Sequence, residues 1–336
     1  MKSESSGGAT DTFKNKDAEF KQPGTMKAVR IHEFGGIEKL IYEDIPIPEP
    51  GPDELLVRVN SAGVNPVDWK IREGHMKNNI KLPLILGWDV AGTVIYAGAL
   101  VTSFTEGNRI FARIELLRSG AYAEYAIVKA SEAAHAPSIP FDKAAGVPLA
   151  SQTAWAGLFE VGALRPGQKI LIHGASGGVG LFAVQLAKIA GAFVVGTTSE
   201  ENTELVKSLG ADEVIDYKKE DFAKKIKDLH FVFDTVGADT QARSWQIMRK
   251  GGTLVSTVGV DEKKASEFGM IGKSFMVNSN GARLQQIAGL IDKGMLRVII
   301  EKEFPLEEVK KAHELSQAGK AAGKIILRVN NEPADE

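Results

Sequence analysis

Residues 171–188 read LIHGASGGVGLFAVQLAK, with four glycines between Gly174 and Gly180. The run before them, KILIH (169–173), is short, apolar and β-like. The run after them, GLFAVQLAKIAG (180–191), carries helical periodicity and stops at a glycine. A turn between a strand and a helix is where small residues have a physical use. Ala175, Gly177 and Gly180 hold the three positions of a dinucleotide-binding fingerprint, with alanine at the first. The first position needs a small residue for a tight turn. The second lets backbone approach a pyrophosphate, and the third lets helix and strand pack closely. Ser176, Gly178 and Val179 complete the turn, where free N–H groups and the positive end of the helix dipole suit phosphate.

Outward from this turn the chain changes rhythm. After it, strand-like and helix-like runs alternate. Strands are expected at Phe193–Thr198, Val214–Asp216, Phe231–Asp234, Thr253–Val258 and Phe275–Asn278. Helices are expected at Gly178–Ala190, Thr203–Ser208 and Phe222–Leu229. Such alternation implies an α/β fold, a doubly wound parallel sheet covered on both faces. Before it, Val29–Ile31, Leu55–Val59, Val90–Tyr96, Arg109–Arg113 and Tyr122–Val128 are short β-like runs broken by PEPGPDE and FTEGNR. This half reads as a β-rich, barrel-like unit. After about Gly281 come two amphipathic helices and a last strand, Lys324–Val329.

The second expected strand of the parallel sheet ends in GTTSEEN (196–202). NAD sites usually place an acid there to bond the ribose 2′-hydroxyl. Thr197, Thr198 and Ser199 stand there instead, and hydroxyl donors suit a 2′-phosphate. NADP(H) is the expected cofactor, although Glu200 and Glu201 follow directly and leave NAD open.

Composition narrows the chemistry. The 336 residues are 43% hydrophobic and 25% charged, with a net charge of −2. That gives no electrostatic footprint for nucleic acid, and no apolar run reaches the roughly 18–20 residues that span a bilayer. There is no cysteine, which removes disulfides, thiol nucleophiles and thiolate-held zinc. The six histidines, His32, His75, His135, His173, His230 and His313, are widely spaced and form no metal-binding pair. Residues 1–25 are polar and Gly/Ser-rich. They lack the apolar core of a signal peptide and carry too many acids for a transit peptide, so they read as a disordered tail on a cytoplasmic protein.

Several separate stretches, in order, carry a resemblance: VNSAGVNPVDWKIREG (59–74), LPLILGWDVAGTV (82–94), GAYAEYAIV (120–128), HGASGGVGLFAVQLAK (173–188), SLGADEVIDYKKEDF (208–222) and AGKIIL (322–327). Together the chain resembles the zinc-independent, zeta-crystallin-like quinone oxidoreductases of the medium-chain dehydrogenase/reductase superfamily. The resemblance implies a GroES-like catalytic domain over 26–145, a Rossmann NADP-binding domain over 146–285, and a return to the catalytic domain over 286–336. The active site would be the cleft between them. Zinc-dependent relatives hold their catalytic metal with a cysteine and a Gly-His-Glu. Here Asn65 or its surroundings and Gly87-Trp88-Asp89 stand there, which implies chemistry without a metal.

Carried over residue by residue, the resemblance puts Asn65 beside the nicotinamide and substrate, unless it only shapes an Asn-Pro turn. Asp68 is either a polar site residue or a turn cap. The family often has a tyrosine near Trp69-Lys70. Tyr122 and Tyr125 should lie on opposite faces of a strand, one of them toward the cleft. Thr153 matches a threonine near the nicotinamide. Asn65, Asp68, Tyr122 and Thr153 are the candidates at the reacting end. Thr198, Ser199 and Asn202 align with the 2′-phosphate region, with Asn202 where the family often has lysine. Tyr217 matches a residue at the adenosine end. Thr235, Val258, Phe275 and Val277 follow or belong to later strands near the cofactor. Lys324 either reaches the cofactor across the cleft or is a surface lysine. The implied reaction is hydride transfer to a quinone. The alternatives are an enone or alkenal acceptor, or NADP binding with little turnover. A homodimer is a further option, with Phe275–Val277 as a candidate pairing strand.

Overall fold

A computed structural model describes residues 24–330. The disordered tail expected over 1–25 lies outside them up to residue 23, and Thr25 already opens the first strand. The first half contributes β1 (Thr25–Ile31), β2 (Ile41–Pro46), β3 (Glu54–Val64), β4 (Leu84–Ile85), β5 (Asp89–Ala97), β6 (Arg109–Arg113), β7 (Tyr125–Lys129) and β8 (Ala133–His135). Helix α1 (Pro66–Arg72) interrupts them. Then α2 (Phe141–Ala145) and α3 (Pro148–Trp155) lead into β9 (Lys169–His173), α4 (Gly178–Ile189), β10 (Phe193–Thr198) and α5 (Thr203–Ser208). The alternation continues through β11 (Glu213–Asp216), α6 (Phe222–Lys225), β12 (Leu229–Asp234), α7 (Ala238–Ser244), β13 (Met248–Ser256), α8 (Glu262–Glu267) and β14 (Ile271–Ser274). The chain ends through α9 (Gly281–Asp292), β15 (Ile300–Pro305), α10 (Val309–Gln317) and β16 (Lys324–Arg328).

Strands β9 to β14 form one parallel sheet in the order β11-β10-β9-β12-β13-β14. The first strand lies in the middle and the order reverses beside it, as in a Rossmann sheet. Alternation explains why both faces are covered. Ile170, Ile172, Val194, Phe231, Phe233 and Val255 point into one core with α3, α4 and α9. Leu171, Val195, Val232 and Leu254 point into another with Phe222, Trp245 and Ala265. Each fully buried side chain of this kind contributes on the order of 2 kcal/mol.

The remaining strands make the β-rich unit expected of the first half. One sheet runs β15-β16-β3-β5-β6-β8, with β7 also on β3, and a smaller one runs β2-β1-β4. Strand β16 crosses from beyond the parallel sheet to pair antiparallel with β3, Ile325 facing Val64.

Four expectations need correction. The sixth parallel strand is Ile271–Ser274, not Phe275–Asn278; Phe275 and Val277 follow it in irregular chain. Phe275 packs instead against Gly157 and the core of the parallel sheet, and Val277 is buried. The strand before it starts at Met248 and ends at Ser256, so Val258 lies beyond it, exposed. The helix at Phe222 stops at Lys225, because Ile226 and Leu229 both turn inward as the chain enters β12. Strand β7 starts at Tyr125, so Tyr122 precedes it.

Candidate active site

The glycine turn sits at the carboxyl end of β9. The Ala175 N–H donates to Thr197 O (3.0 Å), which ties the turn to β10. The alanine at the first fingerprint position fits because its methyl packs over Gly196, where any added Cβ would lie 2.9 Å away. A Cβ on Gly180 would collide with the Gly174 carbonyl and with Ala175 backbone. That position holds α4 close to β9. A Cβ on Gly177 would meet only Gly174 O, at 3.3 Å, so its lack of a side chain serves open space rather than packing. Gly177 caps α4 without a side-chain bond, leaving the N–H groups of the first turn without intrahelical partners. A cradle of this shape and polarity fits a pyrophosphate.

Around it the strand ends line up in register. His173 pairs with Thr197 and with Asp234, Asp234 with Ser256, and Thr198 with Asp216. Thr198 Oγ1 donates to Ser176 Oγ (2.8 Å), joining the second strand end to the turn. Asn202 Nδ2 donates to Ser199 Oγ (3.3 Å). Thr235 Oγ1 donates to His173 O (2.8 Å), bracing adjacent strand ends. His173 itself is buried between Thr197 Oγ1 (3.0 Å) and Ser244 Oγ (2.9 Å). Burial depresses its pKa to about 4, so it stays neutral. Tyr217 stands exposed past β11.

The turn also touches the other sheet. Gly177 forms a parallel bridge with Gly323, and Lys324 Cδ would lie 3.0 Å from a Cβ on Gly178. From there the Lys324 side chain runs into the protein and is buried. Its ammonium donates to Asn65 Oδ1 and to Val64 O (3.2 Å), and sits 3.5 Å from Asp89 Oδ2. Asn65 Nδ2 in turn donates to Asp89 Oδ2 (2.9 Å), while Leu149 N donates to Asp89 Oδ1 (2.7 Å). Lys324, Asn65 and Asp89 thus form a buried, mutually hydrogen-bonded cluster. Burial raises the Asp89 pKa, opposed by the Lys324 charge.

Asn65 is also the N-cap of α1. Its N–H donates to Asp68 Oδ2 (2.8 Å), half of a capping box. The same oxygen accepts from Tyr122 OH (2.6 Å). Asp68 and Tyr122 are wholly buried, so neither faces the cleft. Tyr122 lies ahead of β7 because its ring packs over Gly87, whose φ of +78° and lack of Cβ make room for it. Its ring also meets His313 edge-on at 5.8 Å. Burial pushes the Asp68 carboxyl up to about 7 and the Tyr122 hydroxyl well above its ordinary value.

The structure joins Asn65, Asp68, Tyr122 and Lys324 into one connected group. Thr153 is on α3, its hydroxyl donating to Leu149 O (2.7 Å); Leu149 is the residue whose N–H holds Asp89. Val258, Phe275 and Val277 make no polar contact with this group. Trp88, beside Asp89, points the other way into the β-rich core, its Nε1 donating to Arg118 O (3.0 Å). Among the described residues, no three histidine, aspartate or glutamate side chains come together as a metal site requires. Sequence reading missed Asp89 as a member of this cluster. The GWD stretch (87–89) was the signal available.

Comparison with known proteins agrees with this layout. Residues 51–138 match the alcohol dehydrogenase GroES-like domain, and residues 209–327 match a family described as zinc-binding dehydrogenase. The mouse (Mus musculus) quinone oxidoreductase is 34% identical, over 90% of this chain and 97% of that protein. An NADPH-dependent alkenal/one oxidoreductase of Arabidopsis thaliana is 34% identical, over 93% of this chain and 82% of that protein. The solved quinone oxidoreductase from Coxiella burnetii superposes with a TM-score of 0.86 at 30% identity, covering 91% of this chain and 100% of that one. Two sheets in this arrangement, joined at a glycine turn, and these relatives lead to one conclusion: the chain belongs to the medium-chain dehydrogenase/reductase superfamily and is a quinone-oxidoreductase-like member of it.

Proposed function

We propose that the protein is an NADPH-dependent oxidoreductase that delivers hydride to a quinone or similar electron-poor acceptor without zinc. The carrying observation is the contact between the phosphate-type turn and the Lys324–Asn65–Asp89 cluster, through Gly177–Gly323 and the Lys324 stem. It links cofactor holding to acceptor orientation. Ser176 and Gly177–Gly180 would hold the pyrophosphate, and Thr198, Ser199 and their neighbours the adenosine ribose. Bound there, the dihydronicotinamide supplies the hydride.

The protein's own part is positional. Lys324 fixes the Asn65 amide oxygen, and Asp89 fixes one of its N–H bonds. The other N–H is left to donate to an acceptor oxygen as negative charge builds there. Asp68 and Tyr122 act through the Asn65 backbone and α1, not on substrate. Solvent can protonate the product oxygen, so no obligatory general acid is assigned. Zinc-free chemistry is supported by the absence of cysteine and by Trp88, an inward-packed indole at a position where the zinc-dependent relatives carry a ligand.

A second reading, reduction of an enone carbon–carbon double bond, is favoured by the Arabidopsis relative and needs the same oxyanion stabilisation. Steady-state rates with a quinone panel and an enone panel, each with NADPH and NADH, separate the two. Tight NADPH binding with no oxidation by either panel would refute the enzyme reading. Stoichiometric zinc in the active protein would refute the zinc-free one.

A further inference from the structure

The hydroxyl-rich end of β10 offers donors to a 2′-phosphate but no cation of its own, and Asn202 stands where a lysine would supply one. The neighbouring strand end does carry cations. Thr198 pairs in register with Asp216, the last residue of β11, and Tyr217 N donates to Thr198 O (3.1 Å). Lys218 and Lys219 follow at once, beside Ser199–Asn202. Asp216 Oδ1 accepts from Lys218 N (3.0 Å), which fixes where that side chain begins.

Each lysine has an acidic partner on the β10 side. Lys218 Nζ lies 3.3 Å from Glu201 Oε1, and Lys219 Nζ lies 2.5 Å from Glu200 Oε2. The two pairs are not equivalent. Glu201 also takes a hydrogen bond from the Ser199 side chain, so Ser199, Glu201 and Lys218 form one chain along the rim. Its own backbone N–H, then Ser199 and Lys218, hold the Glu201 carboxyl below its ordinary range, so it is a full anion near neutrality. All four charged side chains are more than half exposed, and exposed pairs exchange partners at little cost.

Resting on the NADPH reading above, we propose that Lys218 reads the 2′-phosphate, with Glu201 as the anion it holds until the phosphate arrives. A phosphate carries more charge and more acceptor oxygens than a carboxylate, so it wins this exchange. A cofactor with a bare 2′-hydroxyl offers Lys218 no anion, and Glu201 keeps it. The Lys218–Glu201 pair would then set the preference for NADPH over NADH.

Two probes isolate this end of the cofactor: 2′,5′-ADP, which carries the 2′-phosphate, and 5′-AMP, which does not. Their binding to the purified full chain is measured by calorimetry, so the readout does not depend on turnover. Wild type should bind 2′,5′-ADP more tightly. Lys218→Met should weaken 2′,5′-ADP about tenfold, the effect of one charge-assisted hydrogen bond, and leave 5′-AMP unchanged. Glu201→Gln should strengthen 2′,5′-ADP about two- to fivefold by removing the competing carboxylate. Lys219→Met should leave the ratio as it is. The wild-type preference should shrink at high salt. A wild-type preference that survives Lys218→Met, or that only Lys219→Met removes, overturns the assignment and leaves the NADPH reading standing. No preference in wild type overturns the NADPH reading itself, and the assignment with it.

Discussion

Replacing Asp68 by asparagine should make the protein more tolerant of rising pH. The Asp68 carboxyl is wholly buried, with Oδ2 shared by Tyr122 OH (2.6 Å) and Asn65 N (2.8 Å). Its Oδ1 has no partner. Asparagine keeps one oxygen for both donors and sets an uncharged group at the unpartnered position. Burial is the largest cause that pushes the folded carboxyl up to about 7 from its ordinary value of 3.8. An acid whose pKa rises on folding binds its proton more tightly in the folded state. Stability is then greatest below the unfolded pKa and falls as pH rises from about 4 toward 7. Integrating that linkage between pH 5 and pH 7 gives a loss of about 2 kcal/mol in wild type that the asparagine variant escapes. Denaturant unfolding of both proteins at the two pH values measures it. The variant's stability relative to wild type should increase by about 2 kcal/mol from pH 5 to pH 7. The difference between variants cancels every group common to both. A difference that stays constant, or moves in favour of wild type, would refute the account of Asp68 as an acid that titrates close to neutrality. Asp68→Ala serves as the contrast: it strands Tyr122 OH and Asn65 N and should destabilise at both pH values.

Other consequences follow from the same cluster and from the turn. Lys324→Met leaves the Asp89 carboxylate buried without its cation and should cost about 3 kcal/mol in unfolding free energy. Adding Asp89→Asn should recover part of that loss, and an additive double variant would contradict the pairing. Gly177→Ala should fold with near-normal stability, because its Cβ meets a single atom at 3.3 Å, yet lose at least tenfold in dinucleotide affinity by titration. Gly180→Ala should instead lower the melting temperature, since its Cβ collides with the Gly174–Ala175 backbone. If the two glycine variants behave alike, the division between a packing glycine and a ligand-facing one is wrong.

The parts that were legible in the sequence are those whose signal is local. Strand Phe193–Thr198 and helix Thr203–Ser208 run as expected, because a buried parallel strand and a helix ending at glycine each write their own pattern. Edge strand β14 escapes the apolar pattern because IGKS is largely exposed, while the apolar FMV beside it is irregular chain, half-buried at Phe275 against distant Gly157 and buried at Val277. The same limit governs the site. The glycine turn announces itself over seven residues. Nothing local says that Tyr122 reaches Asp68, 54 positions earlier, or that Lys324 reaches Asp89, 235 positions earlier. From sequence Lys324 is either a lysine that reaches the cofactor or a surface lysine; its burial shows only with the antiparallel register of β16 on β3.

That register also explains why a lysine is tolerated there. A lone ammonium in the interior would lose its charge or unfold the site. Here it meets a side-chain amide oxygen, a backbone carbonyl and a carboxylate, one acceptor for each of its three N–H bonds. Lys324 and Asp89 are opposite-charge partners 3.5 Å apart beside Asn65, and the Lys324 charge opposes the burial that raises the Asp89 pKa. Ionising Asp68 would add a second negative charge facing Asp89, which is among the causes that raise its pKa. The Lys324–Asp89 pairing and the orientation of the Asn65 amide are one arrangement. A change that disturbs the first should disturb the second, so Asp68 and Lys324 variants should alter turnover even though neither side chain is assigned a contact with the acceptor.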